Sequence, residues 1–119
     1  MYNITVSEEI KRACPVFKGA AVYAEVTHTT LCKELWDEIN AFTHELTATT
    51  QADDIKLQPA IAATRDVYKR CGKDPSRYRP SAEALRRRLM RGLELYRIDT
   101  LVDLINLVSL RTGYSIGGF

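Results

Sequence analysis

Long apolar runs are missing from this sequence. No stretch approaches the roughly 20 residues that a membrane span needs. The first ten residues have no basic region leading into an apolar one, so nothing there reads as a secretory signal. Cysteines are few: Cys14, Cys32 and Cys71 are far apart and odd in number. That argues against a disulfide framework and fits the reducing cytoplasm, with buried or half-buried free thiols as the plain reading. No pair of them has zinc-site spacing, and neither histidine, His28 or His44, lies close to one. No metal or cofactor is expected. Low-complexity tracts and internal repeats are also absent, which excludes a disordered or solenoid chain.

What remains is a chain of 119 residues, one domain's worth at most, with an apolar fraction of 45% that suffices for a small core. Its formal charge is only +2, but the charge is unevenly placed. Residues 1–61 carry five basic and nine acidic side chains, whereas residues 62–97 carry eleven basic and four acidic ones. Such a chain could present a basic face to an anion, or simply a solvated helix with neutralising partners elsewhere.

Ser7 can cap a short helix through Arg12 that ends at Pro15. Residues 19–27 read as a strand, with Ala21, Tyr23 and Glu25 on one side and Val22, Ala24 and Val26 on the other. Thr30 opens a helix over residues 31–46, whose stripe of Leu31, Leu35, Ile39, Phe42 and Leu46 reads as core with Trp36 at its border. A polar connection follows over residues 47–54. Pro59 suits the first turn of a third helix that stops at Gly72. Residues 73–80 form an irregular loop with two prolines. Ser81 caps a fourth helix ending at Gly92, and Asp99 or Thr100 opens a fifth. That helix places Leu101, Leu104, Ile105 and Val108 on one face and ends at Gly113. Residues 114–119 read as the start of a second strand. The expected class is therefore α/β, with helices packed on a sheet that this chain only begins.

Two segments are more informative than the rest. One runs from Ala63 through Gly72-Lys-Asp-Pro-Ser-Arg-Tyr-Arg-Pro-Ser81 into Glu83-Ala-Leu-Arg-Arg-Arg88. The other runs from Ile98 through Gly113 to Tyr114-Ser-Ile-Gly-Gly-Phe119. Together they resemble the B3/B4 domain of the phenylalanyl-tRNA synthetase β subunit, and more closely the small freestanding proteins built from that domain. Val102, Asp103, Asn106, Val108, Gly113 and Phe119 fall without a gap on the synthetase pattern Val-Asp-x-x-Asn-Tyr-Val followed by Gly-Gln-Pro-x-His-Ala-Phe-Asp. The resemblance covers roughly the last half of the chain.

It implies an α/β unit that binds tRNA and hydrolyses a wrongly attached amino acid from it, by attack of water on the ester. Positioning and hydrogen bonding can do much of that work. The chain is not a complete tRNA ligase. It would be the N-terminal part of a single such domain over residues 1–119, completed by a companion C-terminal segment or a second copy. Two departures bear on activity: Gly117 stands where the family has a histidine, and further pocket residues of the family lie beyond the equivalent of Phe119. The rival reading is a module for a small amino-acid-like ligand without RNA; a third is a fragment without function.

Asn106 matches a pocket asparagine of the family. It could bond an aminoacyl ester or its water, or cap a neighbouring loop. Asp103 reads as structural, an acceptor at the start of its helix. Arg77, Arg79, Arg86, Arg87 and Arg91 are the candidate RNA-binding residues, with Arg88 free to pair internally with an acid. Arg87 and Arg91 share one helix face, so not all five can meet one phosphate strand. Tyr68, Tyr78 and Tyr96 lie among these arginines, where rings can stack on bases or pack on the core. His28 and His44 read as surface or capping residues.

Overall fold

The computed structural model describes residues 3–118. Five α-helices carry the fold: α1 (Glu8–Ala13), α2 (Lys33–Thr49), α3 (Pro59–Arg70), α4 (Ser81–Met90) and α5 (Thr100–Thr112). A 3-10 helix, Ala52–Leu57, joins α2 to α3. Phe119, the last residue of both the expected second strand and the family pattern, lies outside the described residues.

The helix punctuation follows local chemistry. The Ser7 hydroxyl accepts from the Ile10 N–H at the start of α1, and Asp99 does the same for Val102 at the start of α5. Gln58 caps α3 at Ile61 N–H, with Pro59 in the first turn. Two starts are displaced. The α2 cap is Cys32 rather than Thr30, because Thr29 is held to α5: its carbonyl accepts from Thr100 N–H and its hydroxyl bonds the Thr100 hydroxyl at 2.6 Å. The α4 cap is Pro80, and Ser81 makes no capping bond. The Ala82 N–H is met instead by the Ser115 hydroxyl at 3.2 Å.

The expected α/β class is wrong: among the described residues there is no strand. Residues 19–27 have no regular secondary structure and find no neighbouring strand, and a strand is stabilised only by its partner's hydrogen bonds. Val22 and Val26, which share one side of that segment, are 93% and 57% exposed. Residues 114–118 likewise form no strand. The alternation that suggested strands is real, but the element that would use it is not formed.

Two small cores flank α4. Trp36 and Ile39 of α2, Leu89 of α4, Leu95, and Leu107 and Leu110 of α5 form one, with Leu35, Phe42 and Leu46 against it. Ile55, Ile61 and Ala82 form the other. Trp36 is thus core rather than border, and Leu31 is exposed outside the helix. The apolar stripe of α5 lies outward. Leu101, Leu104 and Val108 face solvent, while Asp103, Leu107 and Leu110 are buried. This helix is apolar nearly all round, so periodicity could not choose its face. Polar bonds to Asp103 and to the Leu110 carbonyl accompany the chosen one.

The result is a flat molecule of 44 × 40 × 19 Å with a radius of gyration of 15.6 Å, against about 13.5 Å for a compact chain of this length. Its surface, 8917 Å², exceeds by roughly 2,400 Å² that of a compact monomer of its mass.

Candidate nucleic-acid interface

The basic helix is the middle of the molecule, and its arginines divide by what they touch. Glu83 is fully buried and accepts from Arg65 Nη1 of α3 at 2.7 Å and from Arg87 Nη2 one turn along α4 at 3.1 Å. Arg87 is therefore held by a carboxylate. Arg86 is buried and donates from Nη2 to the Leu110 carbonyl at 2.6 Å, near the C-terminus of α5, where helix dipole and unpaired carbonyls favour a cation. Burial pushes its guanidinium below the usual arginine range, and its Nε has no partner. Arg88 donates to the Glu94 carbonyl at 2.6 Å and lies 3.9 Å from the centre of the Tyr96 ring. It meets the backbone of an acidic residue, not the acid.

Arg77, Arg79 and Arg91 are exposed and make no side-chain hydrogen bond or ion pair among the described residues. Arg91 stands at the C-terminal end of α4. A helix of ten residues puts it about 15 Å along the axis from the loop that carries the other two. The five candidates are thus not one patch: Arg86 and Arg87 have internal partners, and the three free cations lie at opposite ends of α4.

The loop between α3 and α4 is built by its other residues. Asp74 Oδ1 accepts from Ser76 N–H at 2.9 Å, and the Asp74 carbonyl accepts from Arg77 and Tyr78 N–H. Ser76 is tied to Arg65 Nη2 at 3.2 Å, and Pro75 and Pro80 are buried. That leaves Lys73, Arg77, Tyr78 and Arg79 facing outward on a well-braced turn. The Lys73 ammonium and the Arg77 guanidinium both lie over the Tyr78 ring, 4.7 and 5.3 Å from its centre. The motif's Asp-Pro-Ser shapes the loop, and its basic residues and tyrosine are displayed by it. Sequence reasoning had named Arg77 and Arg79 but not Lys73, whose signal was its place one residue before the Asx turn.

Asn106 is half-buried at the edge of the inward face of α5, and its amide makes no hydrogen bond among the described residues. Asp103 is buried and structural: its two oxygens accept from Trp36 Nε1 at 3.0 Å and Ile98 N–H at 3.1 Å. His28 is exposed, with Nδ1 4.0 Å from Asp99 Oδ2. His44 lines a shallow cleft of about 400 Å³ between α2 and residues 89–95. Tyr68 is half-buried, whereas Tyr78 and Tyr96 are exposed. Of the free thiols, Cys14 is buried, Cys32 half-buried and Cys71 exposed. Among the described residues no group of His, Cys, Asp or Glu side chains could hold a metal ion, and no helix is long and apolar enough to cross a membrane.

No curated protein and no solved structure matches this chain. Residues 63–119, which run from within α3 through the braced loop, α4 and α5, match the model of a family described as the B3/4 domain.

Proposed function

We propose that this chain binds tRNA, as an aminoacyl-tRNA, through the loop between α3 and α4. The observation that carries the reading is the division of labour in that loop. Among the described residues Arg77 and Arg79 have no carboxylate partner, and they stand on a turn braced by Asp74 and Ser76. Cations on a braced turn meet phosphates at a reduced backbone ordering cost. The B3/4 match over the same residues supports RNA as the polyanion, in keeping with the resemblance to the synthetase β subunit and its freestanding relatives. Arg91 adds a second, separate phosphate contact. Arg86 and Arg87 act beneath the surface, holding α5 and Glu83. The protein works in the cytoplasm, where tRNA is charged.

Hydrolysis of a mischarged aminoacyl-tRNA is the finer form of this reading. Asn106, with a half-buried amide and no partner among the described residues, is the residue that would bond an ester or its water. Gly117 in the family's histidine position makes turnover by this chain weak or absent.

A gel shift with tRNA over a range of salt tests the binding. The expected result is retention that weakens steeply as salt rises, because phosphate contacts release counterions. Absence of retention at low salt overturns it and leaves the module for a small amino-acid-like ligand. Release of labelled tyrosine from mischarged tRNA tests the chemistry. Turnover well above the spontaneous rate would contradict the expected weakness, and Asn106→Ala should then lower it about tenfold, or about 1.4 kcal/mol.

A further inference from the structure

The guanidinium of Arg88 lies over one face of the Tyr96 ring, with its carbon 3.9 Å from the ring centre. Its Nη1 donates to the Tyr96 hydroxyl at 3.2 Å, and its Nε to the Glu94 carbonyl at 2.6 Å. These contacts hold the ring against α4. At 3.9 Å the two planes are in van der Waals contact, so that face of the ring is closed. Tyr96 is nevertheless 65% exposed. With one face covered, so high an exposure requires the other face to be open. Trp36 has the same kind of contact, from Arg97 at 4.3 Å, but is only 5% exposed and offers no face to a ligand. Tyr78 already carries Lys73 and Arg77 against its ring, and Tyr68 is half-buried.

From this geometry we infer that the outer face of Tyr96 is a stacking platform for one unpaired base of a bound RNA, with Arg88 as the positioning residue behind it. The inference rests on the RNA-binding reading and deepens it, because it names the part of the RNA that this end of α4 takes. A base inside a duplex has both faces stacked on its neighbours, whereas an unpaired base in a loop or at an end presents a face to a side chain. The ring is already fixed, so stacking on it costs little further ordering. The cation behind the ring draws its negative π charge inward, which lessens repulsion between the outer face and the π face of a base. Every base has such a face, so the platform is tolerant of sequence. Arg91 follows Arg88 by one helical turn and is its neighbour on the surface of α4. The phosphate contact proposed for Arg91 and the platform at Tyr96 therefore serve the same end of the helix, away from the loop between α3 and α4.

The test uses the full chain and a series of short single-stranded RNAs in which one 2-aminopurine, a base whose fluorescence falls when it stacks, is moved through the strand. In the parent protein one position should be quenched on binding. Tyr96→Phe should keep that quenching, because the ring remains. Tyr96→Leu and Tyr96→Gln should abolish it and weaken binding about tenfold. Neither should change the slope of affinity against salt, because no phosphate contact is lost. A duplex of the same sequence should bind the parent and Tyr96→Leu alike. Circular dichroism checks that the variants keep their helices, and two replacements of different polarity separate the loss of the ring from a damaged fold. Quenching and affinity that persist in both Tyr96→Leu and Tyr96→Gln would overturn the platform and leave RNA binding standing. So would a duplex that depends on Tyr96 as strongly as the single strand does. Absence of any RNA binding by the parent at low salt would overturn the RNA reading itself, and the platform with it.

Discussion

The indole N–H of Trp36 donates to the carboxylate of Asp103 at 3.0 Å, and both side chains are buried. The bond joins α2 to α5 across the larger core, and the second carboxylate oxygen holds the Ile98 N–H just before α5 begins. Asp103→Ala would leave the buried indole N–H and the part-buried Ile98 N–H without their acceptor. It should lower stability by about 2–4 kcal/mol, measured by urea unfolding. Asp103→Asn keeps one good acceptor and should cost less. If Asp103→Ala unfolds at the parent midpoint, the bond does not hold these helices together.

Ser81 sits where sequence places a helix cap, yet the cap of α4 is supplied by Ser115 from 33 residues away. Ser115→Ala should therefore destabilise the protein by about 0.5–2 kcal/mol, while Ser81→Ala stays near neutral. The reverse order in thermal melts would restore the local cap.

Gly113 closes α5 with φ 79°, and a Cβ there would collide with the side-chain amide of Gln58. That amide cannot simply move aside, since it caps Ile61 N–H and donates to the Thr112 carbonyl. Gly72 has the same φ of 79° but open space around it. Gly72→Ala should cost only the left-handed penalty, about 1–2 kcal/mol. Gly113→Ala should cost clearly more. Equal losses in chemical denaturation would show that Gln58 yields without effect.

The arginines should separate in a salt titration of tRNA binding. Arg77→Glu and Arg79→Glu should weaken binding and each flatten the salt dependence by about one unit. Arg91→Glu should do so independently, being at the far end of α4. Arg86→Met should leave affinity and slope unchanged, because its guanidinium is buried against Leu110. Slopes that ignore Arg77, Arg79 and Arg91 alike would make these side chains a solvated face.

Leu101, Leu104, Ile105 and Val108 form a stripe at helical spacing on the outer side of α5, and Leu101, Leu104 and Val108 are at least 40% exposed. The excess surface of roughly 2,400 Å² is ample for a standard interface, which takes about 800 Å² from each partner. The isolated chain should associate at micromolar concentration, and Leu104→Glu should shift it towards monomer in sedimentation. A parent protein that stays a monomer of 13.5 kDa with a cooperative melt would show that this face is stable in water.

The sequence by itself determined the helices and most of their ends, because caps, prolines and terminal glycines act within a few residues. Asp99, Pro59, Gly72 and Gly113 all took the roles that local chemistry assigns them. It also determined the loop of residues 73–80, whose Asx turn and prolines need little from elsewhere. Only the tertiary structure decided three other things. Whether residues 19–27 form a strand depends on a partner that no pattern within them can supply. Which side of α5 is buried depended on Trp36 and Arg86, since a helix apolar all round carries no directional signal. And the difference between Arg86 and Arg79, identical in kind and seven residues apart, arose from packing: one donates to the end of another helix and the other is exposed without a hydrogen bond among the described residues.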